Sequence, residues 1–181
     1  MFSLFSLNSR TLYRILVDRL VEESGSILKL KEKYNWNDTI ISKLFLLPYR
    51  STLDCRLRSF HYRVMNNILF LNRFIFYKLS LCDTPLCSFC KGEEETLDHF
   101  FFYCPITSNF WSSIYKRLNF AAFANPSEGE IVYGFHNLNA GGIENVICLS
   151  GKYYLFRMRL RHQVPNITQF ISFLKVLHQI E

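Results

Sequence analysis

The chain has no two adjacent aspartates: Asp18, Asp38, Asp54, Asp83 and Asp98 lie scattered over separate stretches. A polymerase needs paired metal-binding carboxylates, and a nuclease needs carboxylates and a lysine around Mg²⁺; the sequence writes out neither. We therefore expect no enzyme, and a nuclease only if such a cluster assembles in three dimensions. No apolar run reaches the roughly eighteen residues of a membrane span, because Asn72 and Arg73 interrupt the nearest candidate at 68–77. Residues 1–7 are apolar but lack a basic flank and run straight into Asn8 and Arg10, which makes a poor secretory signal. The expectations are no membrane partner and an intracellular location, in cytoplasm or nucleus. Six cysteines without a secretory context argue against a disulfide framework. There is also no internal repeat and no low-complexity tract.

What is present is enough for a folded core. The 181 residues are 49% apolar and include 18 Phe and 10 Tyr, which excludes disorder as the general state. The formal charge of +6 is unevenly spread. Between Tyr49 and Cys82 lie Arg50, Arg56, Arg58, Arg63, Arg73 and Lys78 against the single acid Asp54. Between Asn145 and Ile180 lie Lys152, Arg157, Arg159, Arg161 and Lys175 against none. Blocks of this kind suit a polyanion.

Apolar spacing predicts helices almost throughout. Asn8 or Ser9 caps a stripe of Leu12, Ile15, Leu16 and Leu20. Asn37 or Asp38 caps a short helix through Ile40, Ile41, Leu44 and Phe45 that Pro48 stops, with Trp36 anchored in the core. Thr52 caps a longer helix with Leu53, Leu57, Phe60, Val64 and Ile68 on one face. Asn72 caps a helix over 73–79. A further helix over 109–120 carries Phe110 and Trp111, which roof a metal site, and 123–130 reads as a loop. Gly141 and Gly142 precede a helix from Ile143 past Met158, and Pro165 and Asn166 open the last helix. The organisation expected is a helical segment at 1–50, helices with a metal module at 51–120, and a loop with helices packing on it at 121–181.

The module is centred on Cys87, Cys90, His99 and Cys104, a C-x2-C-x8-H-x4-C array. Zn²⁺ takes four sulfur or nitrogen donors at tetrahedral corners, and two cysteines two residues apart grip it from one tight turn. A filled four-ligand site leaves no position for a reactive water, so the expectation is one structural Zn²⁺. Cys82 is the only substitute ligand in range, and Cys55 and Cys148 are expected to pack in the core. The fold class that results is mainly α: a helical domain stapled by a small CCHC zinc knuckle-like loop.

Several words around this array point further. The run Leu57, Arg58, Ser59, Phe60, His61, Tyr62, Arg63, Val64 is followed by Leu71 to Phe74, then by Cys87 to Cys90 and by Glu95 and Thr96. His99, Phe100, Phe101, Cys104, Pro105, Phe110 and Trp111 complete it. Together they resemble the reverse-transcriptase zinc-binding domain at the C-terminal end of LINE-type (non-LTR) retrotransposon polyproteins. Outlying words (Trp36, Leu47, Pro48, Tyr49, Thr52, Tyr133, Gly134, Gly151 to Tyr154) extend the likeness over 10–175. The resemblance implies a non-catalytic module that holds RNA template or target DNA beside the reverse transcriptase core of its parent polyprotein. With it, Arg56 and Arg63 on one helix face, and Arg157 and Arg161 on another, become nucleic-acid contacts; without it they are solvated faces. Glu93, Glu94, Glu95 and Asp98 against Lys91 would turn a phosphate backbone away from the zinc loop. The alternative is a zinc-stapled structural or protein-interaction domain that binds no nucleic acid.

Overall fold

A computed structural model describes residues 25–139 and 142–180. The stripe from Leu12 to Leu20 and Gly141 lie outside the described residues. Among the described residues eight α-helices follow one another: α1 Gly25–Tyr34, α2 Asp38–Ser51, α3 Cys55–Met65, α4 Asn72–Phe74, α5 Pro105–Leu118, α6 Glu128–Tyr133, α7 Ile143–Leu160 and α8 Ile167–Ile180. Two single π turns, Ile75–Leu79 and His99–Tyr103, flank the zinc loop, and a 3₁₀ turn, Ala121–Phe123, precedes α6. Among the described residues the only β pairing is one antiparallel bridge, Leu86 with Glu94, at the base of that loop.

Helix α7 is the axis. Its buried residues include Ile147, Leu149, Tyr154, Leu155 and Met158, so more than one face is covered, as befits a helix in the middle of a bundle. It packs against α2, α3 and α8, and the core draws on each of the three stretches expected from sequence. Gly151 explains how α5 comes so close. A Cβ there would meet Trp111 Cη2 at 2.7 Å and Cζ3 at 2.9 Å, so the glycine admits the indole rather than merely weakening the helix.

Several boundaries differ from the sequence expectation, each for a local reason. Pro48 does not stop α2, which runs one turn further to Ser51. Thr52 closes that helix in extended backbone, and its hydroxyl accepts from Asp54 N; Asp54 is the residue that caps α3, accepting from Arg56 N at 2.8 Å. Leu53 and Ile68 consequently fall outside α3 and are exposed, and the buried face is Leu57, Phe60, His61, Val64 and Met65. Cys55 is exposed at the start of α3, whereas Cys148 is buried. Asn72 sits inside α4 rather than capping it, and its side chain is used elsewhere. The loop expected at 123–130 is shorter, because Ser127 and Glu130 form a reciprocal capping box that starts α6. Trp36 is half-buried, stacked on Tyr34 with centroids 4.4 Å apart.

Candidate metal centre

The zinc loop is assembled from backbone bonds before any metal is considered. Cys87 N donates to the Glu93 carbonyl at 2.7 Å, and Lys91 N donates to the Cys87 carbonyl at 3.0 Å with Lys91 in the left-handed region at φ 58°. This tight turn points Cys87 and Cys90 inward. On the other side, Thr96 Oγ1 accepts from His99 N at 3.0 Å and starts the π turn, whose wider pitch brings Cys104 N to the His99 carbonyl at 2.7 Å. Pro105 then takes the first position of α5, where its missing N–H costs nothing.

Cys87, Cys90, His99 and Cys104 end with one donor atom each inside a sphere in which all lie within 4.8 Å of one another. Cys87 Sγ and Cys104 Sγ are 3.8 Å apart, and Cys90 Sγ and His99 Nε2 are 3.2 Å apart. A tetrahedral Zn²⁺ with sulfur at its usual distance separates two sulfurs by about 3.8 Å, so the donors fit that ion. His99 Nδ1 lies 3.0 Å from Glu93 Oε2, a contact that holds the ring so that Nε2 faces the sulfurs. Cys104 Sγ accepts from Cys87 and receives N–H groups of Thr107 and Ile106 at the start of α5, and this pulls its thiol down to about 5. The same sulfur contact, with burial, pushes Cys87 up. Cys82 takes no part; its sulfur donates to the carbonyls of Asn72 and Thr84.

Behind the sulfurs lies a buried polar group that spacing alone does not disclose. Glu95 is wholly buried: its Oε2 accepts from Ser88 N at 2.5 Å, and its Oε1 accepts from Asn72 N at 2.9 Å and Arg159 Nε at 2.5 Å. Arg159 also donates to Asn72 Oδ1 at 2.7 Å, while Asn72 Nδ2 donates to the Leu86 carbonyl at 2.7 Å. Glu95 thus ties the Cys87–Cys90 turn to α4 and to the C-terminal end of α7. The signal available in sequence was the Glu95, Thr96 word of the family resemblance, with no role attached.

The rest of the loop's acidity is also consumed. Glu94 pairs with Arg73 at 2.5 Å and accepts from Tyr77, and Asp98 meets Lys33 Nζ at 2.7 Å. Lys33 also reaches Glu128 at 2.5 Å, and Tyr34 and Tyr103 donate to the same carboxylate. Burial works against the Lys33 ammonium, but the two carboxylates outweigh it and hold its pKa above the ordinary range. Here two carboxylates do meet a lysine, as an ion-pair network joining α1, the zinc loop and α6.

The arginines separate into two kinds. Arg56 forks onto Asp54, Nη2 to Oδ2 at 2.6 Å, and Arg63 is exposed with only Ser59 Oγ nearby at 3.4 Å. Arg157 and Arg161 instead line an open groove of about 390 Å³ with Gln163, Thr168, Gln169 and Ser172, and no carboxylate lines it. Lys152 and Arg159, counted from sequence among the basic residues of this stretch, are buried. Phe110 and Trp111 are buried too; rather than roofing the metal site, their rings meet Phe170, Tyr154 and Phe123.

Compared with known proteins, residues 10–111 match the family described as zinc-binding in reverse transcriptase. No curated protein and no solved structure matches the chain.

Proposed function

The chain belongs to the family of zinc-binding domains in reverse transcriptase, and from that premise we propose that it is a non-catalytic, nucleic-acid-binding accessory module of a non-LTR retrotransposon reverse transcriptase. In this reading one structural Zn²⁺ is held by Cys87, Cys90, His99 and Cys104, and RNA template or target DNA lies on the basic faces of α3 and α7. The observation that carries it is the groove at Arg157 and Arg161. Two guanidinium groups, two hydroxyls and two amides converge there with no acid among them, the donor set that phosphate oxygens require. Arg56 is the weakest of the four arginines, because Asp54 already occupies its fork. Tyr62 is exposed and available to stack on a base, whereas Tyr154 is buried and its hydroxyl donates to the Asn166 carbonyl.

The test is the salt dependence of binding to a single-stranded RNA, followed by fluorescence anisotropy with the zinc-loaded chain. Removing Arg157 or Arg161 (to Ala) should weaken binding and flatten the log–log slope by roughly 0.7 per lost phosphate contact, with Lys116→Ala, which does not line the groove, as a control. Wild-type affinity and slope in both arginine variants, with the fold intact, would sink the reading.

One observation favours the second reading, a protein-interaction domain. None of the residues of α4 or the following π turn is buried, and Ile68, Phe70, Tyr77, Leu79 and Leu81 are exposed around them. An apolar ridge of this kind suits docking on the polymerase core. Association with that core that survives high salt and is lost in Leu81→Asp would support it.

A further inference from the structure

The acidic residues of the zinc loop each have a partner. Glu94 and Asp98 face Arg73 and Lys33, Glu93 lies on His99, and Glu95 is buried. A cleft of about 240 Å³ runs between the Cys87–Cys90 turn and the end of α7. Lys91, His162, Gln163, Ser88 and Arg159 line it, and no carboxylate does.

We infer that this cleft is a phosphate-binding subsite, and that it continues the Arg157 and Arg161 groove of the proposed function across Gln163 onto the zinc knuckle itself. The inference rests on that reading and revises one part of the sequence expectation, namely that nucleic acid avoids the loop. Gln163 lines both cavities, so they are neighbours along one surface. The side chains of Lys91 and His162 are fixed by backbone as well as by composition. Lys91 at φ 58° and His162 at φ 54° both sit in the left-handed region, at the turn of the knuckle and at the end of α7. Lys91 is exposed and has no ion pair among the described residues. Arg159 forms the floor. Its Nε and Nη2 donate to Glu95 and Asn72, which fixes the position of the guanidinium beside the cleft.

This geometry also gives the metal a role in recognition. Zn²⁺ on Cys87 and Cys90 would hold the turn that carries Lys91 and Ser88, and Glu95 locks that turn to Arg159 through Ser88 N. The two walls of the cleft keep their spacing only while the knuckle is closed.

The experiment uses the full zinc-loaded chain and a single-stranded RNA oligonucleotide. Lys91→Ala should weaken binding and flatten the salt slope by roughly 0.7, and His162→Ala should weaken binding by removing a hydrogen-bonding ring from the cleft. Zinc content by native mass spectrometry must match wild type, since Lys91 adjoins a ligand. As a readout independent of any variant, the wild-type chain is photo-crosslinked to a 4-thiouridine oligonucleotide. Crosslinks at 88–91 or 162–163 are expected. A wild-type slope in the Lys91 variant and wild-type affinity in the His162 variant, with crosslinks confined to 157–161 and 168–173, would overturn the subsite while leaving the Arg157 and Arg161 groove standing. Absence of RNA binding by the wild-type chain would overturn both.

Discussion

His61 on α3 donates its Nε2 proton to the Leu44 carbonyl on α2, 3.0 Å away, and that carbonyl is the one Pro48 leaves without a helical partner. In an uninterrupted helix the N–H of residue 48 would reach Leu44, but proline has none. The imidazole replaces it from a neighbouring helix, so the kink-prone site becomes a joint between α2 and α3. The bond fixes the tautomer, and Nδ1 is left buried with no partner.

The consequence is a pH dependence of stability. Burial, with the repulsion of Lys152, pushes His61 down to about 3. The unfolded chain takes up that proton near pH 6.5 and the folded chain does not, so stability is full above about 6.5 and falls by up to about 1.4 kcal/mol per pH unit as pH drops from there toward 3. His61→Gln should be destabilised at neutral pH, with a shallower decline than wild type between pH 6.5 and 5 in urea titrations at saturating zinc. Parallel declines would show that His61 does not carry the effect.

The Pro48 case marks where sequence reading stopped. Spacing identified the four candidate ligands and most helices, because both are local patterns of donor type and apolar period. It placed a stop at Pro48 and a cap at Thr52 because the residues that reverse those rules, His61 and Asp54, act through a neighbouring helix or a competing side chain. Glu95 was legible only as an acid in an acidic loop. Its burial depends on Arg159, sixty-four residues away, and no local pattern carries that information.

Gly151→Ala puts two effects in opposition. Alanine improves helix propensity by about 1 kcal/mol, while overpacking a filled core commonly costs about 1–3 kcal/mol. Trp111 has little freedom to yield, since its Nε1 donates to the Phe101 carbonyl at 2.8 Å. We expect a net loss of about 1 kcal/mol by denaturant midpoint, reduced when Trp111→Phe is added. A variant more stable than wild type would show that the indole moves aside.

The Glu95 and Arg159 pair should behave as a buried ion pair whose halves depend on each other. Arg159→Met leaves a carboxylate buried beside two backbone N–H groups and should cost about 3–5 kcal/mol. Adding Glu95→Gln removes the charge yet keeps one acceptor oxygen for Ser88 or Asn72, and part of the loss should return. Additive losses in the double variant would indicate that the two groups are not coupled.

Metal removal tests the centre itself. Structural zinc contributes an apparent ~10–16 kcal/mol at neutral pH in small sites, and here a bound ion would join a loop to helices that also pack on one another. Chelation should therefore open one region before the rest. Amide exchange is expected to rise first between residues 71 and 118, where the ligands, the two π turns and the Glu95 group lie, and later in α2 and α3, whose contacts with α7 do not pass through the metal. Cys90→Ser should abolish retention of one zinc per chain. Glu93→Ala should keep the ligand set but weaken zinc affinity by roughly 10–100-fold, because His99 loses the carboxylate that orients its ring. Uniform exchange along the chain on chelation would mean that the metal holds the whole bundle, and an unchanged affinity in Glu93→Ala would mean that the His99 ring is set by packing alone.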